Sequence, residues 1–159
     1  MAVNAVVVRP ARTADLDAVR ALFVQYAQSL DFKLCFAGLD AELAALPGDY
    51  APPAGRLLVA ERAGGILGCV ALRPVDGGCE LRRLYVTPSA RGAGAGQRLV
   101  EAALSGARDA GHARIELETI GVTMKAAQAL YARLGFTCRD PAAAPGKVVR
   151  YVCALEDGS

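Results

Sequence analysis

The chain has 159 residues and a formal net charge of +2, and 53% of its residues are hydrophobic while 21% are charged. This balance predicts a globular protein, and the small net charge without a basic run argues against nucleic-acid binding. No apolar run approaches the roughly 20 residues that a membrane-spanning helix needs, and the first residues lack the pattern of a secretory signal. We therefore expect a cytoplasmic protein that forms one domain over residues 1–159.

The cysteines and the histidine give no sign of a metal or nucleophile site. Five cysteines are widely spaced, and none forms a C-x-x-C pair. Most of them lie among apolar neighbours, so we expect reduced core thiols and no metal, with Cys35 the most accessible. The only histidine, His112, follows a glycine at a predicted helix exit, where an exposed turn residue is the simplest interpretation.

The hydrophobic pattern predicts strands first and then helices that alternate with strands. Such an order is typical of a mixed sheet covered by helices. The predicted elements, in chain order, are a strand in "NAVVVRP", a helix capped by Thr13, a short helix near 39–46, a hairpin in "RLLVAERAGGILGCVALRPV", a strand in "CELRRLYVTP", a helix from the glycine-rich connection to about 110, a strand in "RIELETI", a helix in "TMKAAQALYARLGF" and a strand in "KVVRYVCAL".

The connection after the fourth strand carries Arg91 and three alternating glycines, Gly92, Gly94 and Gly96, directly before a helix. A helix start offers unpaired N–H groups and a partial positive charge, and glycine lets a ligand approach the backbone closely. This combination predicts an anion site. A dinucleotide fingerprint is disfavoured because its third glycine position holds Gln97, and a Walker loop is absent. A flexible turn without a ligand is the remaining alternative.

Two motifs resemble those of the GNAT acetyltransferase superfamily. They are Arg91-x-x-Gly94-x-Gly96 after "LYVTP" and the helix segment "ALYARLGF". The order of predicted elements is similar over nearly the whole chain. The resemblance implies an α/β (α+β) fold with a mixed, mostly antiparallel central sheet of about six to seven strands flanked by about four helices. It also implies transfer of an acetyl group from acetyl-CoA to a primary amine of a small molecule or peptide, and it allows a homodimer.

The resemblance further implies which residues form the site. Glu80 matches the position of a catalytic glutamate, and Tyr131 matches a tyrosine that protonates the departing thiolate. Many members have an asparagine where this chain has Met124, so a helper contact to the cofactor is expected to be missing. The implied cofactor-binding residues are Leu84, Tyr85 and Val86 for the pantetheine arm, where the fourth strand splays from the fifth, and Arg91, Gly92, Ala93, Gly94, Ala95, Gly96 and Gln97 for the pyrophosphate.

The chemistry sets the roles that these residues would have. A protonated amine cannot attack a thioester, so the enzyme must remove a proton and place the free amine beside the carbonyl. Glu80 would be the base, directly or through a water, and a strand N–H around 84–86 would stabilise the oxyanion. Structural roles are the alternatives, because Glu80 could simply pair with Arg82, Tyr131 could be a core side chain and Arg91 a surface charge.

Two adjacent arginines, Arg82 and Arg83, raise the possibility of a positively charged acceptor cleft. Arg82 and Arg83 are neighbours on a strand, so we expect their side chains on opposite faces. One of them would suit an acceptor that carries a carboxylate or phosphate. Glu116 and Glu118 on the next strand could equally neutralise an arginine, and we rank that pairing first.

The acceptor is expected to bind under residues 31–55 and beside the loop "RDPAAAPGK", because these are the least regular segments. No motif in them names a substrate. A coenzyme A-binding sensor or interaction domain without catalysis is the alternative function. Aromatic residues available to line the acceptor site are Tyr50, Phe32 and Phe36.

Overall fold

The computed structural model describes residues 5–29, 38–92, 94–120, 125–139 and 148–155. Within these ranges the chain forms one seven-stranded sheet and four α-helices. The strands are β1 (Val7–Pro10), β2 (Arg56–Arg62), β3 (Gly65–Val75), β4 (Gly78–Val86), β5 (Arg114–Ile120), β6 (Thr137–Cys138) and β7 (Val148–Ala154), and the helices are α1 (Leu16–Ser29), α2 (Leu39–Ala45), α3 (Ala95–Asp109) and α4 (Lys125–Arg133).

The sheet order is β1-β2-β3-β4-β5-β7-β6. Among the described strands only β4 and β5 pair in parallel, and the other neighbours are antiparallel. The predicted mixed, mostly antiparallel sheet is therefore confirmed. The β2–β3 hairpin turns at Ala63 and Gly64, whose φ values of 52° and 83° suit the tight two-residue turn that matches strand twist.

Helices cover both faces of the sheet. Leu58 and Val70 point to the face covered by α3 and α4, whereas the preceding residues Leu57 and Cys69 point to the face covered by α1 and α2. This alternation follows from the period of two along a strand. The predicted apolar face of α3 is confirmed, and its buried residues include Leu99, Val100, Ala103, Leu104 and Ala107.

The first helix begins differently from the prediction. Thr13 opens a 3-10 turn, and Arg12, not Thr13, is the residue before it. The backbone N–H of Arg12 donates to Asp15 Oδ2 at 2.7 Å, and Arg9 donates to the same carboxylate at 2.7 and 3.1 Å. These bonds, with Arg9 contributing most, lower the pKa of Asp15 to about 2. The carboxylate thus satisfies the N–H of the residue before the turn, and no side-chain hydrogen bond caps the turn in the way predicted for Thr13.

The described cysteines are free, and Cys69, Cys79 and Cys153 are buried, as expected for core thiols. Burial raises the pKa of Cys69 to about 12. Cys35 lies outside the described residues. In the described ranges no helix is long and apolar enough to cross a membrane. No group of three or more described His, Cys, Asp or Glu residues is arranged to hold a metal ion.

Candidate active site

A cleft opens in the middle of the sheet where β4 and β5 diverge. The two strands pair only at Cys79 with Ile115 and at Glu80 with Glu116, although both strands continue for several residues. Beyond Glu80 the facing strand edges are not paired with each other. The splay implied by the family resemblance is thus present. Strand edges of this kind can hydrogen-bond an extended ligand along its length.

A β-bulge shapes β4 on its other edge. Cys69 pairs with Tyr85 and Ala71 with Arg82, so β4 has one extra residue between these pairs. Arg83 lies in the bulge with φ of 59°, a left-handed conformation that a non-glycine residue adopts at a cost of about 1 kcal/mol or more. The surrounding contacts must therefore hold Arg83 in place.

Glu42 of α2 provides those contacts. Arg83 is only 8% exposed, and its Nε and Nη2 donate to the two oxygens of Glu42 at 2.9 Å each. The guanidinium also lies 5.9 Å from the centre of the Phe23 ring. Burial alone would raise the pKa of Glu42, but the hydrogen bonds from Arg83 lower it, so Glu42 is a carboxylate.

The expectation that Arg82 and Arg83 face opposite sides is wrong. Arg82 Nη1 also approaches Glu42, at 3.7 Å, because the extra residue of the bulge redirects the strand. The expected pairing with β5 is wrong as well, since Glu116 pairs with Arg114 at 3.2 Å. Glu42 was missed because nothing in the sequence places α2 next to a bulge.

The start of α3 presents free backbone N–H groups at one end of the region. Gly94 precedes the helix with φ of 81°, and no side chain caps it. The first bond of the helix runs from Arg98 N to Gly94 O, so the N–H groups of 94–97 are left for a ligand. A Cβ at Gly92 or Gly94 would meet nothing within 4 Å, so glycine is needed there for its positive φ.

Arg91 folds back onto the end of β4. Its Nε donates to the Val86 carbonyl at 3.0 Å, and its guanidinium lies 5.6 Å from the centre of the Tyr85 ring. Both contacts hold the exposed guanidinium beside the glycine-rich connection. The structure therefore brings together Arg91, the backbone of 84–86 and the start of α3. Ala93 lies outside the described residues.

Tyr131 lies on α4 and is 5% exposed. The rings of Phe136 and Tyr151 pack against it, with centres 5.7 Å away in both cases. Burial, with smaller effects from Tyr26 and Tyr151, raises the pKa of Tyr131. Tyr26 belongs to α1, on the opposite face of the sheet, and its ring packs on Tyr85 of β4 at 6.1 Å. Met124 lies outside the described residues.

Glu80 lies at the base of the cleft, at the last paired position of β4 and β5. Its Oε1 accepts a hydrogen bond from Arg73 Nε at 2.7 Å and lies 3.8 Å from Arg82 Nε. No described residue bonds to its Oε2. The ion pair with Arg82 that was the structural alternative for Glu80 is present at 3.8 Å, but the closer partner is Arg73. Sequence reasoning missed Arg73, although it stands directly opposite Glu80 in the hairpin register.

A cavity of about 190 Å³ opens beside this cluster. It lies between α2, the 3-10 turn at Gly48–Tyr50 and the strands β3 and β4. It lies beside 42–50, within the segment 31–55 under which the acceptor is expected to bind. Phe32, Phe36 and most of the loop "RDPAAAPGK" lie outside the described residues. The lining residues are Glu42, Ala45, Pro47, Gly48, Asp49, Tyr50, Arg73 and Arg82.

Comparisons with known proteins agree with this geometry. A family model described as an acetyltransferase (GNAT) domain matches residues 53–138. An uncharacterised N-acetyltransferase of Schizosaccharomyces pombe is 37% identical over 130 residues, which are 80% of this chain and 79% of that protein. A GNAT-family acetyltransferase of Staphylococcus aureus Mu50 is similar in structure with a TM-score of 0.76 at 16% identity, over 96% of this chain and 100% of that one.

The yncA protein of Salmonella typhimurium, whose structure contains its cofactor acetyl-CoA, is also similar, with a TM-score of 0.69 at 20% identity over 98% of this chain and 97% of that one. The fold and the matched family model define an acyl-group transferase. The chain belongs to the GNAT family and is an acetyltransferase. Family membership thus favours an enzyme over the non-catalytic sensor domain.

Proposed function

We propose that the chain transfers an acetyl group from acetyl-CoA to a primary amine of a small molecule or peptide by direct attack. One observation carries the proposal: the gap between β4 and β5 has Glu80 at its base and lies beside the uncapped start of α3. Enzymes of the family use acetyl-CoA, and the similar yncA protein holds it. The cytoplasmic location and the homodimer stay predictions.

Backbone groups would hold the cosubstrate. The N–H groups of 92–97, in a region of positive potential at the start of α3, suit the two charges of a pyrophosphate. Arg91 would add its remaining guanidinium donors, because Nε is already used by Val86. The backbone edges of Leu84, Tyr85 and Val86 suit the amides of the pantetheine arm. Ala93 is included from its place in the sequence.

Glu80 would remove the proton from the acceptor ammonium. Its Oε1 is held by Arg73, while Oε2 has no described partner and can accept a proton directly or through a water. The amine nitrogen then forms a bond to the thioester carbon, the carbon–sulfur bond breaks, and the second proton that the nitrogen loses as it becomes an amide passes through solvent to the departing thiolate. A free strand N–H in 84–86 would stabilise the oxyanion between these events.

Tyr131 would act late, as the donor to the departing sulfur. An ordinary thiol has a pKa near about 8.5, whereas burial raises the pKa of Tyr131 above its usual value of about 10. Complete proton transfer from Tyr131 to a thiolate is therefore uphill. A hydrogen bond to the developing thiolate is the favoured form of general-acid assistance.

The cofactor site can be tested by calorimetric titration with acetyl-CoA, using NAD as the control ligand. We expect acetyl-CoA to bind and Gly94→Asp to weaken binding at least about 10-fold, since a carboxylate would repel the pyrophosphate. Gly64→Asp in the hairpin turn is a matched control, because Gly64 also has a positive φ, 83°, and open space around its Cβ position. Equal loss in both variants, or no binding to the folded protein, would contradict the proposal.

A further inference from the structure

The cluster of charges around the 190 Å³ cavity contains one guanidinium group more than it can pair. Arg83 occupies both oxygens of Glu42, and Arg73 holds Glu80 at 2.7 Å. Among the described carboxylates Arg82 reaches only Glu42 and Glu80, at the long distances of 3.7 Å and 3.8 Å. Within these ion pairs three guanidinium groups thus face two carboxylates, and the one without a short ion pair is Arg82; Asp49, a further carboxylate on the cavity wall, pairs with none of them.

Tyr50 cannot supply the missing charge. Its hydroxyl donates to Glu42 Oε2 at 2.9 Å, and its oxygen accepts a weak bond of 3.5 Å from Arg82 Nη1. Burial raises the pKa of Tyr50 to about 12, so the hydroxyl remains neutral. The side chain of Arg82 is 27% exposed and lines the cavity, so its N–H donors are partly desolvated there.

We propose that the amine acceptor is a small amino acid, and that Arg82 binds its carboxylate in this cavity. The inference rests on the proposed acetyl transfer, because it identifies the class of the acceptor. A guanidinium group recognises a carboxylate through two parallel hydrogen bonds, which the loosely held Arg82 can offer. One unpaired positive charge matches a monoanion better than a phosphate dianion.

The position of Glu80 fits the amino group of the same ligand. Arg73 and Arg82 both direct Nε toward Glu80 Oε1, so the proposed base is the immediate neighbour of the proposed carboxylate site. In an α-amino acid a single carbon separates the amino group from the carboxylate. Binding the carboxylate at Arg82 therefore brings the amine next to Glu80, which is where the proposed reaction requires it.

The other charged residue of the cavity, Asp49, favours an amino acid zwitterion over a diamine as the acceptor. Asp49 lines the cavity, is exposed and forms no ion pair with another described residue. It would attract the ammonium group as it enters. A diamine would instead place its second ammonium against Arg73 and Arg82, and like charges repel in a partly desolvated site. The small volume also favours a single amino acid over a peptide.

The experiment compares each of the common amino acids with its carboxamide, which has nearly the same shape but lacks the negative charge. Thiol release from acetyl-CoA measures kcat/KM, and calorimetry in the presence of coenzyme A measures acceptor binding without turnover. We expect at least one amino acid to be preferred over its carboxamide about 10-fold or more. Arg82→Gln should reduce that preference toward one by raising KM for the acid, and Arg82→Lys should restore part of it.

Arg62→Gln, at the end of β2 and away from the cavity, is the matched control and should keep the full preference. Equal use of acids and carboxamides by the wild-type protein, or no binding of any amino acid, would overturn the inference. An equal preference for acids over carboxamides in Arg82→Gln and Arg62→Gln would also overturn the inference. If amino acids bind through Arg82 but no thiol is released, the carboxylate site stands and the proposed acetyl transfer fails.

Discussion

The two sides of the candidate site are built from different chemical groups. The proposed cofactor side consists mainly of backbone: the start of α3, the edge of β4 and the glycine-rich connection between them. The proposed acceptor side consists of side chains, in which Glu42 and Glu80 bind three arginines around a cavity. Glu80 lies where the two sides meet.

This difference predicts how each side responds to mutation. Backbone N–H groups are fixed by the fold, so the cofactor side tolerates most changes that keep the glycine conformations. An ion-pair cluster is interdependent, because removing one charge leaves another unpaired in a partly desolvated place. Changes on the acceptor side should therefore alter substrate use and stability together, whereas acetyl-CoA binding should hardly change.

The largest effect is expected at the meeting point of the two sides. Glu80→Gln removes the proposed base but keeps the size of the side chain, so kcat with a proven acceptor should fall by about 10² to 10⁴-fold. Acetyl-CoA affinity should be nearly unchanged, because Glu80 does not belong to the cofactor side. Steady-state thiol release and calorimetry on the same samples measure the two quantities.

The strand register offers a matched control for this substitution. Glu116 stands beside Glu80 on β5 and pairs with Arg114 instead of the cluster. Glu116→Gln should retain nearly full activity. Wild-type turnover by Glu80→Gln would show that Glu80 is only an ion-pair partner of Arg73.

The second largest effect is expected on stability, and it concerns the acceptor side alone. Glu42→Gln leaves Arg83, which is 8% exposed, without the carboxylate that pairs with it, and should lower the free energy of unfolding by about 3 kcal/mol. Urea denaturation measures the loss. Glu61→Gln is the control, because Glu61 also pairs with an arginine, Arg9, at 2.6 Å but is 32% exposed, and it should cost less than about 1 kcal/mol.

Losses of equal size in the two variants would show that the buried cluster is no more cooperative than a surface pair. A large fall in acetyl-CoA affinity for Glu42→Gln would show that the two sides are not independent. Calorimetric titration with acetyl-CoA in the same buffer without urea measures this affinity. Unchanged acetyl-CoA affinity together with reduced stability would support the independence of the two sides.

The sequence predicted the sheet, the helices and the glycine-rich start of α3 well, since their physical causes are local. The spacing of Leu99, Val100 and Ala103 indicates a helix face, and these residues are buried. Gly92 and Gly94 have positive φ values of 90° and 81°, so residue type and backbone geometry are directly linked there. The two-residue strand β6 was not predicted because so short a segment has no readable period.

The acceptor side could not be predicted because it depends on contacts between distant segments. Glu42 and Arg83 are 41 residues apart in the chain, and their contact requires a bulge. The segment "CELRRLYV" contains no residue that predicts this bulge. Alternation along a regular strand placed Arg82 and Arg83 on opposite faces, and one extra residue invalidated that rule. The partnership of Arg73 with Glu80 was accessible in principle from the hairpin register.

The smallest effect on kcat is expected from a change at Tyr131, the proposed donor to the departing thiolate. Tyr131→Phe removes one hydrogen bond and should lower kcat about 10-fold with little change in acetyl-CoA affinity. Because burial raises the pKa of Tyr131, its phenol keeps the proton as the pH rises, so the ratio of wild-type to variant activity should stay constant up to about pH 10. Tyr151→Phe, which removes a hydroxyl from a ring packed against Tyr131, is the control for the loss of a tyrosine hydroxyl in this part of the core. A ratio that falls to one well below pH 10 would mean that the phenol ionises more easily than its burial allows, and a ratio of one at every pH would leave Tyr131 as a core side chain.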